Sequence, residues 1–505
     1  ELGAVASQDD IPSLEVAEPS AAATLAATDP AQLVHVKTDV FDIQIDLRGG
    51  DLVRLALPAY PASLETPDIP FLLLDPRNAY MAQSGLIGPN GTDISGQRPT
   101  FRADRTSYDL GTNEALTVPL RFTQEDGTEI VKRFTFHRGD YLIQIAYEVT
   151  NRSPTDWRGG LFAQTKRNSQ RPLSETNNVM GLQPYVGGAT RSESEPYHKL
   201  EFDDLAEGSY KQPIADGYMA LVQHYFVSAW VPDGGEQVNY SARKLSNQDI
   251  YIFGYTTGAS VIPPGQTGAF TASYYAGPKD QYRLGELAEG LDLTVDYGFL
   301  WWLAQPLFVL LTWIHGVIPN WGVAIIGLTI VVKLLLYPLS AASFKSMAKM
   351  RKLQPEMLRL KERFGEDRQK FSQAMMDLYK KEGANPLGGC LPILLQMPVF
   401  LALYWTLMES VELRQAPFAL WIRDLSAMDP YFVLPILMGV SMYLTQLMQP
   451  EPPDPVQAKV FKLMPIMFTF FFLWFPSGLV LYWLVNNILS ILQQWYVTRQ
   501  IDKAT

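Results

Sequence analysis

Cysteine is almost absent. The 505-residue chain has one, Cys390, so no disulfide can form within it, and any part outside the cytoplasm must be held by its own core. Histidine is nearly as scarce: His35, His137, His198, His224 and His315 show no HxxxH spacing, and no GxSxG elbow occurs. That removes the usual sequence signs of metal-dependent or serine hydrolysis and favours a binding or scaffolding role for the N-terminal part. No basic residue occurs in residues 1–34, which carry six acids and nine alanines. With so little apolar variety to bury, 1–34 reads as a flexible acidic tether. The chain opens on Glu1 with neither methionine nor an apolar leader, so a signal or anchor helix before this point is expected.

The composition divides near residue 295 into a polar, turn-rich part and a mostly apolar one, a division that suggests two or more domains. In VFDIQIDL, Phe41, Ile43, Ile45 and Leu47 alternate with Asp42, Gln44 and Asp46, and Gly49-Gly50 follows as a turn. The same period-two pattern recurs after residue 115, with Asp126-Gly127 and Gly139-Asp140 as hairpin turns, and again at Tyr218–Val231, Asp249–Thr256 and Gly268–Tyr275. Short strands with no helices between them imply antiparallel sheets in a sandwich over residues 35–290.

Charge is also scarce inside the apolar stretches that follow. Residues 320–344 contain one charged group, Lys333, and about 25 residues suffice to cross a hydrocarbon core roughly 30 Å thick. Near the middle, roughly 18 Å from either end at 1.5 Å per residue, the ammonium lies beyond the reach of a snorkelling stem. Uncompensated, it costs about 2.5 to 3.5 kcal/mol. The further apolar stretches, 386–411 (acid-free as far as Leu407), 431–448, 460–475 and 479–497, carry no acid in their interiors to pair with it. They offer neutral polar groups instead: Gln396, Gln446, Thr469, Asn486, Asn487 and Ser490, with Thr329 one turn before the lysine. This pattern suggests a wet cavity inside a small bundle, the alternative being a lysine that bonds a backbone carbonyl or snorkels in a tilted helix.

Residues 345–382 hold eleven Lys and Arg against six Asp and Glu, a net +5 in a chain of net −11. The positive-inside rule makes this loop cytoplasmic. Counting spans then puts the β domain and loop 412–430 outside, and loop 449–459 and tail 498–505 inside. Residues 299–318 could span by length, but Pro306, three tryptophans and the even span count favour a helix lying on the outer surface. Within the basic loop, apolar positions at helical spacing on either side of Gly365 predict an antiparallel hairpin. Its exposed charges suggest few buried contacts and high mobility. Its methionines either capture apolar substrate segments, Met350, Met357 and Met376 being the candidates, or simply glue the two helices together.

Several stretches point to one family: YPLSAASFKSMAKMRKLQP, NPLGGCLPILLQMPVFLALY, ELRQAPFALWIRDLS, DPYFVLPILMG and FFLWFPSGLVLYW. With the order of five spans, they closely resemble the YidC family of bacterial membrane protein insertases over about residues 300–497. The resemblance implies a periplasmic antiparallel β-supersandwich, then a five-helix transmembrane bundle with a cytoplasmic helical hairpin, in the bacterial inner membrane with a cytoplasmic C-terminus. It implies a hydrophilic groove, closed to the outside, that attracts acidic segments of substrates. Lys333 falls where the family usually has arginine, keeping the charge without the bidentate fork. Thr329 falls on a groove threonine, and Tyr482-Trp483 where two tyrosines are common. The expected groove is therefore Lys333, Thr329, Gln396, Thr469, Tyr482, Trp483 and Asn486.

The expected partners are nascent membrane proteins, the lipid bilayer, Sec translocon components and, weakly, ribosome–nascent chain complexes, with no nucleic acid bound directly. No cofactor, metal or enzymatic activity is expected. The alternatives are a docking factor of the Sec translocon that does not itself insert, and, remotely, an ion-coupled transporter, which would need the intramembrane carboxylates that this chain lacks.

Overall fold

The computed structural model describes Pro12 and residues 32–503 apart from 94–96, 172–183, 235–236, 365–366, 384–390 and 450–454. The expected tether 1–34 lies almost wholly outside the described residues, as do Gly365 and residues 450–454 of the connection 449–459. The described residues form two compact units that divide between residues 295 and 296.

The first unit is a pair of sheets, one of eleven strands and one of nine. Neighbours are antiparallel except where Leu33–Lys37 runs parallel to Ser107–Asp109. The hairpins lie where the turn residues place them. Asp42–Asp46 pairs with Asp51–Ser63 across the Gly49-Gly50 turn, and Ala115–Thr123 pairs with Glu129–His137 around Gly127, whose φ of +86° suits glycine. Two short helices, α1 (Phe202–Glu207) and α2 (Gln281–Leu287), interrupt what was expected to be strand and loop alone. The domain also runs slightly past the expected boundary at 290, through a 3-10 turn at Leu291–Thr294.

Alternation builds the core. In Leu142–Thr150, Ile143, Ile145, Tyr147 and Val149 point inward. In Glu129–His137 the inward row is Ile130, Lys132, Phe134 and Phe136, so a lysine occupies a core position. Its Nζ donates to the carbonyls of Gly49 (3.0 Å) and Ser84 (3.2 Å). Beside it, buried Arg98 bridges Asp51 and Asp93, the latter at 2.8 Å. The Gln83 amide donates to Asp51 at 2.8 Å. Two cations and two carboxylates thus balance inside the domain. Burial is the largest influence on Lys132 and holds its ammonium down to about 7, with Asp51 and Asp93 opposing and Arg98 reinforcing the shift. Burial acts the same way on Arg98, but Asp51 and Asp93 more than reverse it and raise that guanidinium.

The second unit is helical. A 3-10 turn at Gly298–Leu300 leads into α3 (Trp301–Val317), followed by α4 (Trp321–Leu335) and α5 (Tyr337–Phe364). Next come α6 (Arg368–Glu382), α7 (Leu391–Glu409), α8 (Val433–Leu447), α9 (Pro455–Phe472) and α10 (Ser477–Lys503).

Several expected boundaries are corrected. The run 320–344 is not one straight helix: α4 and α5 meet at 68° around Leu336. Pro338 is the cause, since it has no N–H to give the Leu334 carbonyl and its ring crowds the backbone before it. Lys333 therefore sits in the last turn of α4, beside the bend. The hairpin begins at Tyr337 rather than Lys345, the helix expected from 460 begins at Pro455, and the tail from 498 continues α10 to Lys503.

The hairpin is also less free than expected. Phe344, Met347, Met350, Met357 and Tyr379 form a buried cluster with Val497 of α10, and Leu353, Met375 and Ile501 pack around it. The Tyr379 hydroxyl donates to Met357 Sδ at 3.4 Å. Met350 and Met357 thus hold the hairpin together and do not face outward, whereas Met376 is 46 % exposed.

Two outcomes are expected from the charged cluster of the β domain. Arg98→Met strands two buried carboxylates and should cost about 3–5 kcal/mol, read as a lower urea midpoint for proteolysis of this domain in the whole chain. An unfolded lysine keeps its proton to about 10.4. Above about 7 the unfolded chain therefore holds a proton that folded Lys132 has lost, and stability should rise with pH by about 1.4 kcal/mol per unit at most across that window. Lys132→Met should flatten this slope between pH 7 and pH 9 in the same assay.

Candidate functional site

Three helices supply the polar interior. On α10, Tyr482, Asn486 and Ser490 recur every four residues and so line one face. Lys333 of α4 donates to the Ser490 hydroxyl at 2.7 Å and, at 3.5 Å, to the Gln396 carbonyl oxygen of α7. Ser490 in turn donates to the Asn486 carbonyl (2.7 Å), and the Gln396 amide donates to the Asn486 side-chain oxygen. The cation is thus held by neutral groups from two other helices. Among the described residues no carboxylate pairs with it. Its side chain is only partly buried.

A second polar row on α10 faces α8. The Asn487 amide donates to Ser441 Oγ (3.0 Å), and the Gln494 amide donates to the Met448 carbonyl (3.1 Å). Between α8 and α9 the logic is set by a proline. Pro465 has no N–H for the Phe461 carbonyl one turn back, and the Gln446 side-chain amide donates to that carbonyl instead.

The expected groove residues divide accordingly. Lys333, Gln396 and Asn486 come together. Tyr482 is fully buried next to Gln396, and its hydroxyl makes no hydrogen bond of ordinary geometry. The other three engage other partners. Thr329 is buried and donates to Ile325 O of its own helix at 2.7 Å. Thr469 donates to Pro465 O at 2.7 Å and packs against Gly439, where α8 and α9 approach too closely for a larger residue. Trp483 belongs to an aromatic cluster, with Phe400 edge-on at 4.7 Å and Phe472 at 5.6 Å, and its indole N–H has no partner among the described residues. Conversely, the nearest partner of Lys333 is Ser490, which the sequence offers only as one polar group among several. Its position four residues after Asn486 is the signal that links them.

α3 touches the outer turns of its neighbours. Gly298 lies against the Trp405 indole, Thr406 donates to Ala304 O at 3.4 Å, His315 stacks on Trp321 at 3.9 Å, and Ile314 packs on Gly327. Its Trp301, Trp302 and Trp313 are exposed.

Comparison with known proteins places this architecture. Residues 33–310 match the YidC periplasmic domain, and residues 313–504 match the 60Kd inner membrane protein family. The chain is 54 % identical over 504 residues to the membrane protein insertase YidC of Cellvibrio japonicus, covering 99 % of this chain and 90 % of that one. It is 53 % identical over 517 residues to the corresponding insertase of Pseudomonas fluorescens strain Pf-5, covering 100 % and 90 %. At that identity and coverage the chain belongs to the YidC family of inner-membrane protein insertases, with a β-rich periplasmic domain ahead of its helical membrane domain.

Proposed function

We propose that the polar interior around Lys333 is the groove through which this insertase passes substrate segments, with the Lys333 ammonium drawing acidic segments inward. The supporting observation is that a cation on an apolar helix is solvated by Ser490 and Gln396 and not neutralised by an acid. An ion pair would quench its field, whereas neutral acceptors stabilise the charge and leave it available to an incoming carboxylate.

Helix length supports the same reading. At 15 residues each, α4 and α8 are only about 22 Å long against a core of roughly 30 Å. The apolar path left beside them is short, so a polar segment crossing there loses less hydration than it would in bare lipid. No covalent step is required. An apolar substrate helix leaves the half-wet groove because lipid solvates it better. The contacts of α3 with the outer turns of α4 and α7, together with its exposed tryptophans, support a helix that lies across the outer ends of the bundle at the interface. Sec components and ribosome–nascent chain complexes are the proposed further partners.

Reconstitution with a small single-span substrate carrying an acidic external tail tests the proposal. Lys333→Arg should retain insertion and Lys333→Glu should abolish it, while a substrate with a neutral tail should be much less affected by either change. Insertion by the Glu variant equal to that of the parent would rule out the cation. Insertion by the parent with no Sec channel present distinguishes an insertase from a docking factor.

For the hairpin, Met376→Ser should weaken early crosslinking to a nascent apolar segment and leave stability unchanged. Met350→Ser and Met357→Ser should each loosen the hairpin by about 1.5 to 3 kcal/mol, read as faster amide exchange across α5 and α6.

A further inference from the structure

The connection between α7 and α8, residues 410–432, contains only one 3-10 turn yet buries Val411, Leu413, Ala416, Ile422 and Leu425. Its backbone is fastened to three helices. The Asn320 amide, at the start of α4, donates to Phe418 O at 2.9 Å. At the start of α10, Gly478 N–H donates to Leu425 O (2.9 Å), and both the N–H and the hydroxyl of Ser477 donate to Ala427 O (2.7 and 2.8 Å). The buried Asp429 carboxylate accepts the Trp421 indole N–H (2.9 Å) and the Leu434 N–H (2.7 Å) in the first turn of α8. Near Asn320 the Phe418 ring lies directly on Gly322, where a Cβ would overlap it.

A segment tied at so many points is held in place and is not a slack link. Gly322 precedes Lys333 by eleven residues, about 16 Å along α4. The apolar Phe418 ring covers the Gly322 backbone in the first turn of that helix.

We propose that Phe418, seated on Gly322, is the seal that separates the water around Lys333 from the periplasm and fixes the outer end of the helix that carries the cation. The inference rests on the groove reading above and adds to it a positioning residue outside the polar network. Asn320 secures both partners: its side chain accepts from Val323 N–H (3.0 Å) to cap α4 while its amide holds Phe418 O.

The test uses Lys333→Cys as a reporter in the full chain, with Cys390→Ser as background, in proteoliposomes of known orientation. A membrane-impermeant maleimide is added to one face at a time. The parent reporter should react from the cytoplasmic face alone. Phe418→Ala, which empties the seat, and Gly322→Ala, which pushes the ring out of it, should each gain labelling from the periplasmic face, whereas Phe418→Leu should stay closed. The two opening variants act from opposite sides of the contact, so either one that purifies as a monodisperse protein reads the outcome. Periplasmic labelling of the parent, or none in a folded opening variant whose cytoplasmic labelling persists, overturns the seal alone. Loss of cytoplasmic labelling in the parent overturns the groove itself, and the seal with it.

Discussion

A single ammonium group with no acid beside it among the described residues sets the constraint that its neighbouring helices must meet. Bare in hydrocarbon, Lys333 would cost about 2.5 to 3.5 kcal/mol, so every helix around it has to offer an acceptor or allow water in. α10 contributes the Ser490 hydroxyl and, through Asn486, steadies Gln396 of α7. Elsewhere in the bundle two glutamines answer carbonyls of neighbouring helices. Gln446 answers a carbonyl freed by Pro465, and Gln494 answers one at the end of α8. Such bonds fix the rotation of each helix, because turning one by a single residue would strand both partners in a medium that offers no substitute.

The β domain buries charge on opposite terms. The side chains of Arg98 and Lys132 are buried, but Asp51, Asp93 and two carbonyls surround them. A balanced cluster of this kind stabilises little beyond what it cost to desolvate, and it has no field left to act on a ligand. Its effect is to tie the two sheets together at one register, since Lys132 comes from one sheet and the carbonyls it bonds come from the other. The contrast between the two lysines explains why burial of a cation does not by itself indicate a functional site. What matters is whether the neighbours cancel the charge or only solvate it.

Much of this was legible in the sequence. Strand alternation and the glycine turns located the hairpins of the β domain, and apolar runs located the helices, because both signals are local and periodic. Lys333 stood out for the same reason: one charge in an apolar run needs no partner to be noticed. The break after it was legible too, in Pro338, but run length dominated the reading and merged two helices into one. For Thr329, Thr469 and Trp483, polarity and family position did not report which partner each side chain takes. Thr329 and Thr469 spend their hydroxyls on their own helices, and Trp483 spends its ring on Phe400 and Phe472. The Lys132 cluster was hidden in plain alternation, as the one polar member of an inward row.

The hairpin carries buried contacts that its composition does not reveal. Its net +5 and polar outer faces imply a loosely held flap, yet the deciding contacts come from a helix more than a hundred residues away. At 27 residues α10 is about 40 Å long, which exceeds the hydrocarbon thickness and carries Val497 and Ile501 past the polar network to meet Phe344, Met347 and Met350. Undocking the hairpin would expose those three side chains, and at about 1.5 to 3 kcal/mol for each that outweighs the entropy gained by a pair of helices that stay folded. Methionine packing tolerates small shifts without loss of contact, so the hairpin can adjust on its seat while staying attached to the helix that holds Asn486 and Ser490.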